Sequence, residues 1–185
     1  MKNLKFLTLA FLSLFCVTSC SDDDDVVPAP VNEEEVITTL IATLTPDGGG
    51  TAIVLKTQDL DGDGSDAPVV TVSGAFQANT AYNGVIKLLN ETEDPAEDIT
   101  EEVEDEDDEH QFFYTIGGGF NATTIYTNFD DDGNNLGTTF TLNTGAVSTG
   151  TLTFTLRHEP KKPNTGLVDA GGETDIEASF SVAIQ

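Results

Sequence analysis

Short runs of alternating apolar and polar residues fill most of the chain after residue 32. In Thr151–Leu156, the apolar residues Leu152, Phe154 and Leu156 alternate with threonines, so all three fall on one face of a strand. β-branched and aromatic residues dominate these runs, as they do in β-strands. The pattern predicts strands at residues 35–45, 51–58, 69–73, 80–89, 111–116, 123–129, 138–143, 150–158 and 175–184.

Turn-forming sequences separate most of these predicted strands. Pro46–Gly50, Gly62–Gly64, Asp132–Asn135 and Gly171-Gly172 combine glycine with proline, aspartate or asparagine. Many short strands at this spacing indicate a mostly β protein, and specifically an antiparallel immunoglobulin-like β-sandwich. Because Trp is absent, phenylalanines are the expected bulky core residues: Phe112, Phe120, Phe129, Phe140, Phe154 and Phe180.

One acidic segment departs from the strand pattern. Asp94-Pro95 followed by Glu97 predicts a helix start, with Asp94 as N-cap and Pro95 in the first helical position. Ile99 and Val103 lie one turn apart and are the apolar contacts expected of a short surface helix. Like charges accumulate after residue 103, so we expect the helix to fray there.

Residues 1–19 have the pattern of a lipoprotein signal peptide. Lys2 and Lys5 precede an apolar stretch, Phe6–Val17, which is shorter than the roughly 20 residues that span a bilayer. Val17–Cys20 fits a lipobox, in which small residues precede the cysteine whose thiol receives diacylglycerol. Two or three acyl chains anchor a protein stably, so we expect attachment to a membrane through Cys20 without spanning it. An ordinary signal peptide with a coincidental cysteine is the alternative.

A charged tether at residues 20–32 leads to a predicted single domain at residues 33–185. Ser21 and Asp22–Asp25 directly follow the cysteine, and a proline-rich stretch follows them. This arrangement resembles the surface-export signal of Bacteroidota-type lipoproteins. The resemblance implies a location on the outer face of the outer membrane; an anchor facing the periplasm is the alternative.

Motifs within the predicted domain resemble a group of small, uncharacterised Bacteroidota-type surface lipoproteins. They are Leu89–Glu91, Glu97–Glu102, Asp108–Tyr114, Thr155–His158 and Gly171–Asp175. The resemblance covers nearly the whole predicted domain. It implies a surface lipoprotein but no particular activity.

The excess of acidic residues determines which kinds of binding partner are compatible with this chain. The chain has 33 Asp and Glu against 7 Lys and Arg, and its formal net charge is −26. Nucleic acids and anionic headgroups are recognised by basic clusters, so the composition excludes nucleic acid as a partner. Cations, basic ligands or a basic protein are compatible. A solvated acidic coat that only confers solubility is the alternative.

One loop has part of the spacing of a calcium site. Asp59, Asp61 and Asp63 match the first half of an EF-hand loop, and a glycine follows them. The twelfth position is Val70 instead of the bidentate Glu, which excludes a full EF-hand. Another carboxylate would have to complete a weak calcium site, and a loop without an ion is the alternative. The segment Asn128–Asn134 is a weaker candidate of the same kind.

His110 and His158 are the only histidines, and each lies at the boundary of a predicted element. Imidazole favours zinc, copper or nickel, so these residues are candidate ligands of a transition metal. Carboxylates of the acidic segment Glu101–Glu109 would complete the shell if the fold brings the groups together. Hydrogen-bonded histidines without a metal are the alternative.

The chain lacks the sequence signatures of catalysis. There is no Gly-x-Ser-x-Gly, His-Glu-x-x-His or phosphate-binding loop, and the two cysteines belong to the leader and the lipid anchor. We therefore expect a non-enzymatic surface protein that binds a divalent metal or a small cationic ligand, with an outer-membrane transporter as candidate partner. The alternative is a structural or interaction module of the cell surface, in which calcium only stiffens a loop.

The lipid anchor makes a direct prediction. Replacing Cys20 by Ala removes the thiol that accepts the lipid, so the chain should lose palmitate labelling and partition into the aqueous phase of a detergent extraction. Cys16→Ala is the matched control, because Cys16 lies in the predicted leader, and it should leave labelling unchanged. Labelling that survives in Cys20→Ala would contradict the lipobox assignment.

Overall fold

The alternating segments form ten β-strands and two short helices within the described part of the chain. A computed structural model describes residues 35–62 and 64–185. The predicted signal peptide, Cys20 and the tether lie outside the described residues. The elements are β1 (Thr39–Pro46), β2 (Ile53–Gln58), β3 (Val69–Val72), β4 (Ala81–Asn90), β5 (Glu97–Asp98), α1 (Ile99–Asp105), β6 (His110–Gly117), β7 (Ala122–Tyr126), β8 (Thr139–Thr144), β9 (Ser148–His158), α2 (Leu167–Ala170) and β10 (Glu173–Ile184). The prediction of a mostly β protein is confirmed.

The strands form two antiparallel sheets. The larger sheet runs in the order β3-β2-β1-β4-β8-β7, and the short β5 pairs with β4. The strand β4 lies between β1 and β8, and Gly84 of β4 faces the ring of Phe140 in β8. A Cβ atom at Gly84 would lie 2.4 Å from that ring, so a larger residue would displace it.

The smaller sheet has the order β10-β9-β6, with β9 in the centre. Residues Ser148–Ile184 form a hairpin-like pair in which β9 and β10 run antiparallel along most of their lengths. On the other side of β9, the register places Phe112 opposite Leu156 and His110 opposite His158. The smaller sheet therefore brings one end of β6 and one end of β9 together.

One apolar core joins the two sheets. The ring of Phe140 in the larger sheet lies 5.7 Å from that of Phe154 in β9, measured between centroids, and Phe154 lies 5.9 Å from Phe180 in β10. Aromatic pairs of this kind add about 0.5–1.5 kcal/mol to the free energy of burial. The predicted inward face of β9 is confirmed, since Leu152, Phe154 and Leu156 are all fully buried.

The prediction that Phe129 belongs to the core is wrong. Strand β7 ends at Tyr126, and the Phe129 side chain is 51% exposed. After the strand, the chain forms a loop in which Asp130 accepts hydrogen bonds from the backbone and side-chain amides of Asn134. This local turn ends the period-two alternation on which the prediction rested.

The predicted helix start is also wrong, because α1 begins at Ile99 with Asp98 as its N-cap. The carboxylate of Asp98 accepts a hydrogen bond from the backbone N–H of Thr100 at 3.2 Å. The two residues Glu97–Asp98 pair with β4 as an extended strand. Asp94 therefore lies before a strand and cannot cap the helix.

The predicted apolar contacts of this helix are confirmed. Ile99 and Val103 are buried, and the helix ends at Asp105 as acidic residues accumulate. The second helix, α2, was not predicted from the sequence, because four residues between glycines produce no helical periodicity. Within the described residues, no helix is long and apolar enough to cross a membrane.

The assignment of core residues can be tested by replacing phenylalanine with alanine at a buried position and at an exposed position. Phe154→Ala should lower the free energy of unfolding by about 3–5 kcal/mol, because it leaves a cavity between the sheets. Phe129→Ala is the matched control and should change stability by less than about 0.5 kcal/mol. Urea denaturation measures both, with Phe154→Leu as a milder variant if Phe154→Ala does not fold. Equal effects at the two positions would contradict the core described above.

Candidate metal centre

Antiparallel pairing brings the two histidines side by side. His110 begins β6 directly opposite His158, which ends β9, and the centroids of the two rings are 4.6 Å apart. Along each strand, the histidine continues the inward face of Phe112 or Leu156. Both rings therefore point into the protein, and they are 0% and 3% exposed.

Two buried carboxylates lie against these rings. Glu35, which precedes β1, has Oε1 2.9 Å from Nε2 of His110 and Oε2 3.5 Å from Nδ1 of His158. Asp175 of β10 has Oδ1 3.9 Å from the same Nδ1. The carboxylate side chains are 2% and 1% exposed. Each of the four residues offers a ligand atom within 4.8 Å of the others; we call these four residues the inner cluster.

A β-bulge places Asp175 in the inner cluster. Thr174 lies opposite Arg157 and Ile176 opposite Leu156, so Asp175 is the extra residue between two successive pairs. A bulge bends its strand and changes the direction in which the side chain points. The irregularity in β10 thus accounts for a carboxylate beside the buried histidines.

The end of α1 determines which nitrogen of His110 is available. Nδ1 of His110 lies 3.1 Å from the carbonyl oxygen of Glu106, the C-cap residue of the helix. A carbonyl only accepts, so Nδ1 carries the proton and donates it. In the neutral ring, the lone pair is then on Nε2, which faces Glu35. Metal-binding histidines are commonly oriented by such a hydrogen bond from the other ring nitrogen.

The shortest contact in the inner cluster joins two acceptors. With Nδ1 protonated, a neutral His110 has a lone pair on Nε2, 2.9 Å from a carboxylate oxygen of Glu35. Among residues 35–62 and 64–185, neither Nε2 of His110 nor Oε2 of Glu35 has a hydrogen-bond partner. Buried acceptors without donors cost free energy. A proton on Nε2, or a metal ion between the groups, would remove that cost.

The electrostatic potential around the inner cluster is negative. Burial raises the pKa of Glu102, and the negative charges of Glu35, Glu106 and Glu97 raise it further, whereas His110 lowers it. Nearby negative charges make a carboxyl group harder to ionise, so the contributions of Glu35, Glu106 and Glu97 reflect carboxylates gathered near the inner cluster. This end of the molecule therefore favours a cation.

The spacing of the inner cluster is close to that of the ligands of a tetrahedral metal ion. Ligands bound to zinc at 2.0–2.2 Å in a tetrahedron are about 3.3–3.6 Å apart. The contact of 3.5 Å lies within that range, the contacts of 2.9 and 3.9 Å lie below and above it, and Glu35 makes its two contacts with different carboxylate oxygens. Two neutral imidazoles and two carboxylates carry two negative charges, which one divalent cation neutralises. Mixed nitrogen and oxygen ligands of this kind suit zinc or copper.

An acidic pocket of about 400 Å³ adjoins the inner cluster. Glu35 and Asp175 line it, together with Asp59, Glu177 and the exposed Pro68. The lining thus extends from exposed residues to two of the four ligand residues. A cation that enters the pocket therefore meets carboxylates among the lining residues.

The carboxylates of the EF-hand-like loop that the structure describes do not converge. Asp59 accepts a hydrogen bond from the backbone N–H of Asp61, and Asp61 accepts one from that of Asp66. Within the described ranges, neither Asp59 nor Asp61 belongs to a group of three or more converging ligand atoms. Asp63 lies outside the described residues. Calcium binding by this loop stays a prediction.

Within the described part of the chain, Glu109 is the one residue of the acidic segment 101–109 that belongs to a group of converging ligand atoms. Its Oε2 lies 3.7 Å from Nε2 of His158. Glu104, by contrast, accepts a hydrogen bond from Thr138. Glu35 and Asp175 were not anticipated, because each lies far along the chain from both histidines and matches no ligand spacing.

The second loop considered for a cation binds a lysine. Asp130 lies 3.2 Å from Nζ of Lys162, and the same ammonium group donates to the carbonyl oxygen of Asp107 at 2.5 Å. Both side chains of the ion pair are buried. Lys162 therefore connects the Asp130 loop to the turn that leads into His110.

Comparison with protein families, curated proteins and solved structures found no match to this chain.

The buried ion pair predicts a pH-dependent stability. Burial raises the pKa of Asp130, but hydrogen bonds from Asn134 and Lys162 outweigh it and lower the pKa below 3.8. Because the folded pKa is below the unfolded one, the stabilisation is present above the unfolded value and is lost as pH falls through the folded value. Asp130→Asn should lower the free energy of unfolding by about 3 kcal/mol at pH 7.

Urea denaturation at a series of pH values measures this effect. The difference between Asp130→Asn and the unaltered protein should shrink as the pH falls below about 4. Asp132→Asn, an exposed position in the same loop, is the control and should have little effect. A difference that does not change with pH would refute the charge pairing.

Proposed function

We propose that this protein is a surface-anchored, non-enzymatic lipoprotein that captures a divalent transition metal ion, zinc or copper, at the inner cluster. One observation carries the proposal: four residues from separate parts of the chain offer converging ligand atoms in a buried setting. Two side-chain atoms of these residues, Nε2 of His110 and Oε2 of Glu35, have no hydrogen-bond partner among the described residues. A metal ion satisfies both.

The number of protein ligands in the inner cluster supports metal binding and not catalysis. Catalytic zinc sites generally have three protein ligands and an open position for water or substrate, whereas four protein ligands close the coordination shell. The inner cluster offers four. A closed shell of two imidazoles and two carboxylates holds an ion but leaves no position at which a substrate is activated.

Sequence features support the location. The lipobox Val17–Cys20 and the acidic tether Ser21–Asp25 are those of a surface lipoprotein, and the net charge of −26 concentrates cations near the protein. An anchor on the outer face of the outer membrane would place the metal site beside outer-membrane transporters. Such a transporter is the partner to which a captured ion would pass.

The proposal also includes a fold class for the two packed sheets. Two antiparallel sheets share one core, in which Phe140 of the larger sheet contacts Phe154 of the smaller. We assign this arrangement to the immunoglobulin-like sandwiches, in which two antiparallel sheets pack face to face.

Calorimetric titration of the full chain in mild detergent with zinc, copper and calcium tests the proposal. The protein should bind zinc or copper at micromolar concentration or tighter. His110→Ala and Asp175→Asn should each weaken binding by about 100-fold or more, because each removes a ligand whose supporting contacts alone are worth 10–100-fold. Glu93→Gln, an exposed glutamate away from the inner cluster, is the matched control and should bind as the unaltered protein does.

Two other outcomes are informative. Weak, salt-sensitive binding that survives His110→Ala would contradict capture and favour an interaction module with a solvated acidic surface. A chain that unfolds when the metal is removed would make the ion a structural element, since capture requires a folded metal-free state. Thermal unfolding with and without a chelator distinguishes these cases.

A further inference from the structure

The two nitrogens of His158 face different groups of carboxylates. Nδ1 lies 3.5 Å from Glu35 and 3.9 Å from Asp175, within the inner cluster. Nε2, on the other side of the ring, lies 3.7 Å from Oε2 of Glu109. Each nitrogen of an imidazole is a separate metal ligand. His158 is therefore placed to contribute to two sites.

Glu159 completes the second group. Glu109, His158 and Glu159 each offer a ligand atom within 4.8 Å of the others; we call these three residues the outer group. The backbone N–H of Glu159 donates to the carbonyl oxygen of Glu109 at 2.7 Å, so the pairing of β6 and β9 extends one residue beyond the histidines. Glu159 has φ of 47°, a left-handed conformation that is uncommon for residues other than glycine and is often found at functional sites.

We propose that a second divalent ion, copper or zinc, binds the outer group, so that the imidazole of His158 bridges a buried ion and an exposed one. The inference rests on the proposed function, because the inner cluster supplies the first ion. To bridge, the ring gives up its remaining N–H proton, which passes to solvent buffer. Each nitrogen then donates one lone pair to one metal ion, and no oxidant or reductant is required.

The charge and the solvent exposure of the two groups fit two ions that differ in affinity and in rate of exchange. The outer group adds two carboxylates, which compensate the charge of a second divalent cation close to the first. Glu109 is 48% exposed and Glu159 is exposed, whereas the inner carboxylates are almost fully buried. Water can complete the coordination of the outer ion. The outer ion should therefore exchange faster and bind more weakly than the inner one.

Titration of the full chain with copper(II), followed by electron paramagnetic resonance and by metal analysis after dialysis, tests the bridge. The first equivalent should give the spectrum of an isolated copper ion. The second should bind with release of one further proton, measured by calorimetry in buffers of different ionisation enthalpy. It should also reduce the signal per copper, because an imidazolate couples the two unpaired electrons.

A double variant, Glu109→Gln with Glu159→Gln, removes the outer carboxylates and should bind one copper per chain with an unchanged first spectrum. The matched control, Glu93→Gln with Asp132→Asn, removes two exposed carboxylates elsewhere and should still bind two coupled ions. Both pairs lie on the surface, and thermal unfolding confirms that they fold.

The possible failures are distinguishable. One tightly bound, His110-dependent copper in the unaltered protein, with no coupled second ion, overturns the bridge and leaves the proposed function standing. A second ion that is uncoupled, or that survives loss of both outer carboxylates, also overturns the bridge. Absence of any histidine-dependent binding overturns the proposed function and the bridge together.

Discussion

The register between β6 and β9 is the constraint on which the site depends. It places His110 directly opposite His158, and both rings point inward because each continues the buried face of its strand. A shift of one residue in either strand would turn its side chains to the opposite face of the sheet. The same register places Phe112 opposite Leu156, so packing of the core maintains the alignment of the histidines.

The alignment of the two histidines matters because buried carboxylates lie beside them. Glu35 and Asp175 lie beside the histidines with almost no exposure to solvent, and buried carboxylates are costly unless a cation or hydrogen bonds compensate them. The carbonyl of Glu106 directs the lone pair of His110 toward Glu35, so two acceptors face each other unless a proton or a cation lies between them. Helix α1 packs on the core through the buried Val103, and the carbonyl oxygen of its C-cap residue Glu106 contacts Nδ1 of His110.

The acidic residues affect cations at two length scales, near the inner cluster and across the whole chain. Around the inner cluster, individual carboxylates offer candidate ligand atoms and line the adjoining pocket. Across the whole chain, the excess of negative charge attracts cations without regard to their identity. Selectivity for zinc or copper can arise only at the first scale, because only the imidazoles distinguish these metals from calcium and magnesium. In the proposed function, the histidines would therefore define the class of ion, and the acidic surface would raise its local concentration.

Local patterns in the sequence determined nine of the ten strands, the inward face of β9 and the two apolar contacts of α1, because alternation and helical spacing depend only on neighbouring residues. They also identified both histidines as candidate ligands. The tertiary structure alone decided that the histidines are adjacent, that Asp98 caps the helix and that Phe129 is exposed. It also brought in Glu35 from before β1 and Asp175 from a bulge in β10. Strand order, register and bulges depend on contacts between distant segments, and no spacing along the chain records them.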